Sequence, residues 1–276
     1  FPNKDLAVVR DGSGCEGDTH TITVVGAQAG VTYQLLNNGT PASHAVTATG
    51  ADVVFSGVSE DGDYTVRASR NGCSVYLNQS VRIGVVPKPQ SFSPNTACAN
   101  TPFTLTLDDS EAEVLYTIYS PTNDELYSKF SNAGGPLTFN INGTIGTYRI
   151  VAKNDDGCTR EIGTFTLLSQ PDSNYVISTN NDPACAGTAT AHILSLDGSQ
   201  VGVTYYLMRG TAEVSESVEG TGNPISFPDG VTQAGTYRVE ASNGGCRVVL
   251  STSLEVYPRP EFFVLDDVGS FCDGEM

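Results

Sequence analysis

Cysteine is the residue type in this chain whose number and spacing most directly imply chemistry. Seven cysteines stand at positions 15, 73, 98, 158, 185, 246 and 272. Thiols bind metals when they cluster as Cys-x-x-Cys or beside histidines, and form disulfides when spread evenly through an exported chain. Neither cluster occurs here, so disulfides in an oxidising compartment are the expectation. The three histidines, His20, His44 and His192, offer little catalysis, and His20 and His192 read as surface or edge residues five and seven positions after a cysteine. A glycosidase would need two carboxylates held face to face, and no acidic pair recurs along the chain. Acidic clusters at Glu60/Asp61/Asp63, Asp108/Asp109/Glu111, Asp155/Asp156 and Asp266/Asp267 read as solvated loop carboxylates. Calcium is the alternative, with Asp61, Asp63, Asp155 and Asp156 as its candidate ligands, although no Asp-x-Asp-x-Asp-Gly loop is present. Asn38, Asn78 and Asn142 match the N-glycosylation pattern and read as coincidental. The glycine-rich turns precede no helix and make no phosphate loop. No catalytic residue, cofactor or metal is therefore expected.

The cysteines recur alternately at intervals of about 83 to 88 residues, and other landmarks move with them. A Gly-Val-Thr-Tyr-x-Leu block stands at 30–35 and 202–207, with a weaker copy around Tyr116. A Gly-x-Tyr-x-Val/Ile-x-Ala segment appears at 62–68, 146–152 and 235–241, followed each time by Gly-Cys at 72–73, 157–158 and 245–246. Alternation of Val, Ile, Thr and Tyr between Gly, Asn, Asp and Pro clusters is a strand and hairpin pattern, and no stretch has helical periodicity.

Each unit is therefore all-β, with six or seven strands that must close as a two-sheet sandwich to cover their apolar faces. Gly-x-Tyr at the sixth strand resembles the tyrosine corner of immunoglobulin-like domains, which marks Tyr64, Tyr148 and Tyr237 as structural. Tyr33, Tyr116 and Tyr205 stand where such domains carry a core tryptophan, and this chain has Trp 0. The fold class expected is all-β, with three tandem immunoglobulin-like β-sandwich domains arranged end to end as a rod, plus the start of a fourth. The boundaries are 1–87, 88–170, 171–258 and 259–276, the last being the first strand of a truncated repeat around Cys272. Proline pairs at Pro87/Pro89 and Pro258/Pro260, with Pro171, stiffen the connections.

Two cysteine connectivities remain open. Within repeats the pairs would be Cys15–Cys73, Cys98–Cys158 and Cys185–Cys246. Strand parity opposes this, because the first cysteine opens strand B and the second lies at the far end of strand F, roughly 23 Å away along a seven-residue strand. A disulfide tolerates a Cα separation of only about 4.4 to 6.8 Å. Between successive repeats the same parity permits Cys15–Cys158 and Cys98–Cys246, leaving Cys73 and Cys185 for neighbours outside the chain or unpaired. A different strand count, or a bent first strand, restores the within-repeat set.

Asp+Glu 31 against Lys+Arg 14 gives a net charge of −17, which excludes nucleic acid as a partner because phosphate contact needs clustered cations. No apolar run reaches the length of a membrane span, and no export leader stands at Phe1. Together, Cys-x-Gly near a strand start (15–17, 185–187, 272–274), Gly-Val-Thr-Tyr-x-Leu, Gly-Thr-Tyr-x-Val-x-Ala and Gly-Cys resemble the tandem immunoglobulin-like repeats of very large surface proteins of Bacteroidota. Those proteins are exported by the type IX system and include gliding-motility adhesins of the SprB type. The second repeat departs at Cys98-Ala99-Asn100. The resemblance implies a secreted, cell-surface fibre or adhesin stalk. The function expected is a non-catalytic structural segment whose partners are neighbouring repeats, and in a fibre also lateral copies. The alternative is a module binding a surface glycan or protein, for which Tyr119/Tyr127 and Phe262/Phe263 are the candidate exposed aromatics.

Overall fold

The computed structural model describes residues 1–187 and 191–260, and every regular element among them is a β-strand. In the first repeat, Val8–Arg10, His20–Val24 and Val53–Val58 form one sheet in that order. The facing sheet runs Thr40–Pro41, Thr32–Asn37, Gly62–Arg70, Cys73–Tyr76, and Val81–Ile83 also pairs with Gly62–Arg70. The second repeat repeats this with Phe92–Ser93, Phe103–Ser110 and Gly135–Ile141 in one sheet. Its other sheet is Thr159–Leu168, Gly146–Asn154, Val114–Tyr119 and Glu125–Ser131. In the third, Ile177–Thr179, Leu194–Leu196 and Ile225–Ser226 oppose Ala212–Glu213, Thr204–Arg209, Gly235–Asn243 and Cys246–Val256. First, second and fifth strands on one side, with the third, sixth and seventh on the other, is the Greek-key order of immunoglobulin-like sandwiches. The chain is a tandem array of such modules.

By internal contacts the chain divides into two compact units. One comprises Phe1–Asn95 with Pro102–Thr166, the other Thr96–Thr101 with the chain from Leu167 onward. This division does not follow the repeat boundaries: the short segment carrying Cys98 groups with the third repeat.

Alternation explains the cores. His20–Val24 buries every second residue, and Gly62–Arg70 buries Gly62, Tyr64, Val66 and Ala68. The first module packs Ile22, Val24, Tyr33, Leu35, Phe55, Tyr64, Val66 and Ile83 between its sheets. The third packs the matching set Leu194, Leu196, Tyr205, Leu207, Phe227, Tyr237, Val239 and Val256.

Six buried tyrosines brace these cores at both ends, and each spends its hydroxyl on a nearby turn. Tyr64, Tyr148 and Tyr237 donate to the carbonyls of Glu60, Thr144 and Gln233, four residues upstream, at 2.9, 2.9 and 2.8 Å. Tyr33, Tyr116 and Tyr205 accept from the amides of Gln28, Glu111 and Gln200, five residues upstream, at 3.0, 2.8 and 2.8 Å. A buried phenol without such a partner would cost about 1–3 kcal/mol. The glycine two residues before each corner tyrosine has φ of 138°, 144° and 141° at Gly62, Gly146 and Gly235, which only glycine adopts without strain. That requirement is why Gly-x-Tyr recurs as a unit.

Candidate functional site at the cysteine junctions

The first cysteine of a repeat lies where its module hands the chain on. Cys15 makes a parallel bridge with Gly84, closed by Glu16 N–H to Gly84 O at 2.9 Å and Gly84 N–H to Gly14 O at 2.8 Å. Cys185 makes the same bridge with Tyr257, with 2.8 and 2.9 Å bonds from Ala186 and Tyr257. After Cys98, the Ala99 amide bonds Leu168 O at 2.9 Å. In each case the stretch before strand B is held against the end of the last strand, so the cysteine faces the module exit.

The second cysteine opens the last strand after a tight hairpin. Cys73 lies opposite Arg70, and Cys246 opposite Asn243; Asn154 N–H bonds Cys158 O at 3.1 Å. In the first unit Cys15 is bonded to Cys158, with a Cα separation of 5.6 Å and 143 residues between them. In the second unit Cys98 is bonded to Cys246, at 4.7 Å and 148 residues. Each bond therefore joins the first cysteine of one repeat to the second cysteine of the next. Cys73 and Cys185 carry free thiols, and none of the three within-repeat bonds is formed.

An asparagine accompanies each bond. Asn154 Nδ2 donates to Val85 O at 2.6 Å, and Asn243 Nδ2 to Ser169 O at 2.7 Å. Val85 and Ser169 occupy matching positions, one residue after the strand-end residues Gly84 and Leu168. Close approach is also fixed by Gly245, where an added Cβ would lie 2.4 Å from Thr96 Oγ1, while Thr96 itself donates to Gly244 O at 2.9 Å.

In the first unit the connecting residues are tied to both of its modules. The Val86 amide donates to Glu16 Oε1 at 2.9 Å, the Lys88 amide to Glu111 Oε1 at 2.5 Å, and the Arg160 guanidinium to Pro87 O. Arg82 spans two of the calcium candidates, reaching Asp156 at 2.7 Å and Asp63 at 3.4 Å. Hydrogen bonding and charge from Asp156, then from Asp63, hold its guanidinium even more firmly protonated than usual. Arg82 is half exposed, so solvent screening limits what these pairs contribute. Asp61 and Asp155 are not drawn into this pair, and among the described residues no group of three or more His, Cys, Asp or Glu is placed to hold a metal ion. Asp266/Asp267, Cys272 and Phe262/Phe263 lie outside the described residues.

The reading of His20 and His192 as surface residues is corrected. They are 1% and 2% exposed, and their Nε2–H groups each donate at 2.8 Å to the carbonyl of the first cysteine, Cys15 or Cys185. The cause is visible in parity: His20 shares its strand face with Ile22 and Val24, and His192 with Leu194 and Leu196, so both point into the core. Asp11 lies beside His20, and its carboxyl is held below the usual range, mainly by the Thr21 amide at 2.6 Å. His44 is exposed.

The aromatic candidates of the second repeat are already engaged. The Arg149 guanidinium lies 4.2 Å from the centre of the Tyr119 ring, and Tyr127 donates to Asn142 O at 3.0 Å.

No family model and no curated protein matches this chain. Among solved structures it is similar to three fibronectin-type domains, FN1–FN3, of chicken CNTN1, with 12% identity, TM-score 0.37, and coverage of 94% of this chain and 100% of that one. It is also similar to the three N-terminal domains of the bacteriophage RB49 Highly Immunogenic Outer Capsid protein, with 14% identity, TM-score 0.30 and coverage of 91% and 96%. The human OSCAR ligand-binding domain aligns at 14% identity and TM-score 0.32, over 62% of this chain and 100% of that one.

Proposed function

We propose that this chain is a non-catalytic structural segment of a secreted bacterial surface protein, a stalk or fibre in which successive immunoglobulin-like modules are stapled by disulfides. The observation that carries the reading is the pairing of Cys15 with Cys158 and Cys98 with Cys246. Binding modules and enzymes need one converging surface; a load-bearing array needs the same connection made again at each step, and the cysteine, asparagine and strand-end backbone bonds recur in that way. The sequence resemblance to tandem repeats of Bacteroidota surface adhesins supports a cell-surface setting, and the two disulfides accord with an oxidising extracellular compartment. The end-to-end rod expected from the proline connections belongs to the same reading.

Digestion under alkylating, non-reducing conditions tests the staple directly. Linked peptides containing 15/158 and 98/246 are expected, and a 15/73 peptide would end the reading. Small-angle scattering tests the rod, with an elongated distance distribution expected. A glycan array tests the binding alternative, with no hit expected.

A further inference from the structure

Strand register lays out the outward face of one sheet in the second repeat. Leu115, Thr117 and Tyr119 follow one another on the strand Val114–Tyr119, opposite Phe130, Ser128 and Glu125 of the edge strand Glu125–Ser131. On its other side the same three lie opposite Lys153, Val151 and Arg149. The alternate residues Tyr116 and Ile118 are buried in the core, which puts this set outside. Phe130 is 43% exposed and Leu126, at the bulge beside Glu125, 46%. Leu115 and Val151 are half-buried.

The other two modules do not share this apolar face. Thr47 and Glu219 stand where the second repeat has Phe130, and Arg67 and Glu240 where it has Val151. Their edge strand is cut to the two-residue pieces Thr40–Pro41 and Ala212–Glu213, whereas Glu125–Ser131 runs for 7 residues. The sandwich itself therefore does not require Phe130 or Val151 at the surface.

The charges on this face fit a second copy of itself. Arg149 lies over the Tyr119 ring and hydrogen-bonds neutral Asn123, while Glu125 accepts from Ser128 Oγ. Among the described residues Glu125, Arg149 and Lys153 have no oppositely charged partner. With two copies face to face about a two-fold axis along the strands, the flanking columns exchange while the rows keep their order. Each Glu125 then lies over the other copy's Arg149 and each Phe130 over its Lys153, an ion pair and a cation–π contact each made twice. An axis across the strands would instead stack Lys153 on Arg149, like charge on like.

We propose that this face packs on the same face of a second copy, side by side, with the strands of both running in the same direction. The strand order places 4 strands of the second repeat's own unit in this sheet. At about 4.8 Å between strands and about 3.3 Å per residue, they make a face of roughly 19 by 23 Å. Two such faces cover about 900 Å², the size of a weak interface that gains strength by repetition along a fibre. The inference adds a lateral partner to the stapled stalk and stands on separate residues.

The test uses the full chain carrying Cys73→Ser, Cys185→Ser and Cys272→Ser, which removes thiol cross-linking. Sedimentation equilibrium is run up to about 1 mM protein in about 0.15 M salt, where net charge repulsion is screened. A concentration-dependent dimer is expected, and Phe130→Glu should abolish it. Glu125→Arg alone and Arg149→Glu alone should each weaken it about tenfold, the scale of two exposed ion pairs turned repulsive. Mixed one to one, those two variants should return close to the parent affinity, because each supplies the charge the other lacks. A chain that stays monomeric throughout, a dimer indifferent to Phe130→Glu, or a mixture no stronger than its parts would overturn the proposal. The 15/158 and 98/246 peptide map tests the stapled stalk separately, so either can fail without the other.

Discussion

Because the two disulfides interleave, with Cys98 inside the span of the first and Cys158 inside the span of the second, their effects on chain extension cannot add. Consider the whole chain held at Phe1 and Met276 and pulled until every module is unfolded. With both bonds intact, the shortest covalent path runs from Phe1 to Cys15, across to Cys158, back along the chain to Cys98, across to Cys246 and on to the end. That path holds about 105 residues, or about 360 Å at roughly 3.4 Å per residue. Removing the first bond with Cys15→Ser and Cys158→Ser adds only about 75 Å, because the second bond still bypasses the stretch from 98 to 246. Removing the second with Cys98→Ser and Cys246→Ser adds about 90 Å. Removing both adds about 580 Å, several times the sum of the parts. Single-molecule force spectroscopy reads these contour lengths directly. If either pair of substitutions alone released hundreds of ångströms, or if the increments added, the interleaved connectivity would be wrong.

Other outcomes follow from the same structure. Loss of the 15–158 bond removes closure of a loop of about 144 residues, for which the chain-entropy model gives about 5 kcal/mol, so the Cys15→Ser/Cys158→Ser chain should melt well below the parent in calorimetry. Tyr64→Phe deletes the hydroxyl that donates to Glu60 O and accepts from Asn37 Nδ2, and should destabilise by about 1–2 kcal/mol in denaturant titration. Burial raises the hydroxyls of Tyr64, Tyr116 and Tyr205 above their usual value. The folded chain thus holds these protons longer than the unfolded one, and their contribution is complete below about pH 10 and lost as pH rises beyond it. Melting temperature should therefore fall in step with tyrosine ionisation followed by ultraviolet absorbance.

The sandwich was legible because its signals are periodic: the alternation in His20–Val24 and Gly62–Arg70, and a Gly-x-Tyr whose glycine demands φ near 140°. Strand parity carried information about cysteine geometry for the same reason. The histidines show how a residue-type expectation fails where a positional one would succeed: imidazole is polar, but its place in step with Ile22 and Val24 puts it inside, and a backbone carbonyl meets its N–H. Arg82 was not legible as the partner of Asp156, since that residue is 74 positions away and the two meet only once two modules have folded, whereas its pairing with Asp63 is a cross-strand contact within the first module. The grouping of Thr96–Thr101 with the third repeat likewise depends on long-range pairing that no local pattern encodes.

The interleaving also bears on what a cut does to the polymer. Between Cys15 and Cys246 the backbone can be cleaved at any one peptide bond and every fragment remains covalently attached to both ends, because at least one disulfide always bridges the gap. Three separate closed loops would leave the connectors between them as single points of severance. Here a lone proteolytic nick, even in the connector at Pro87/Pro89, would leave the chain covalently continuous.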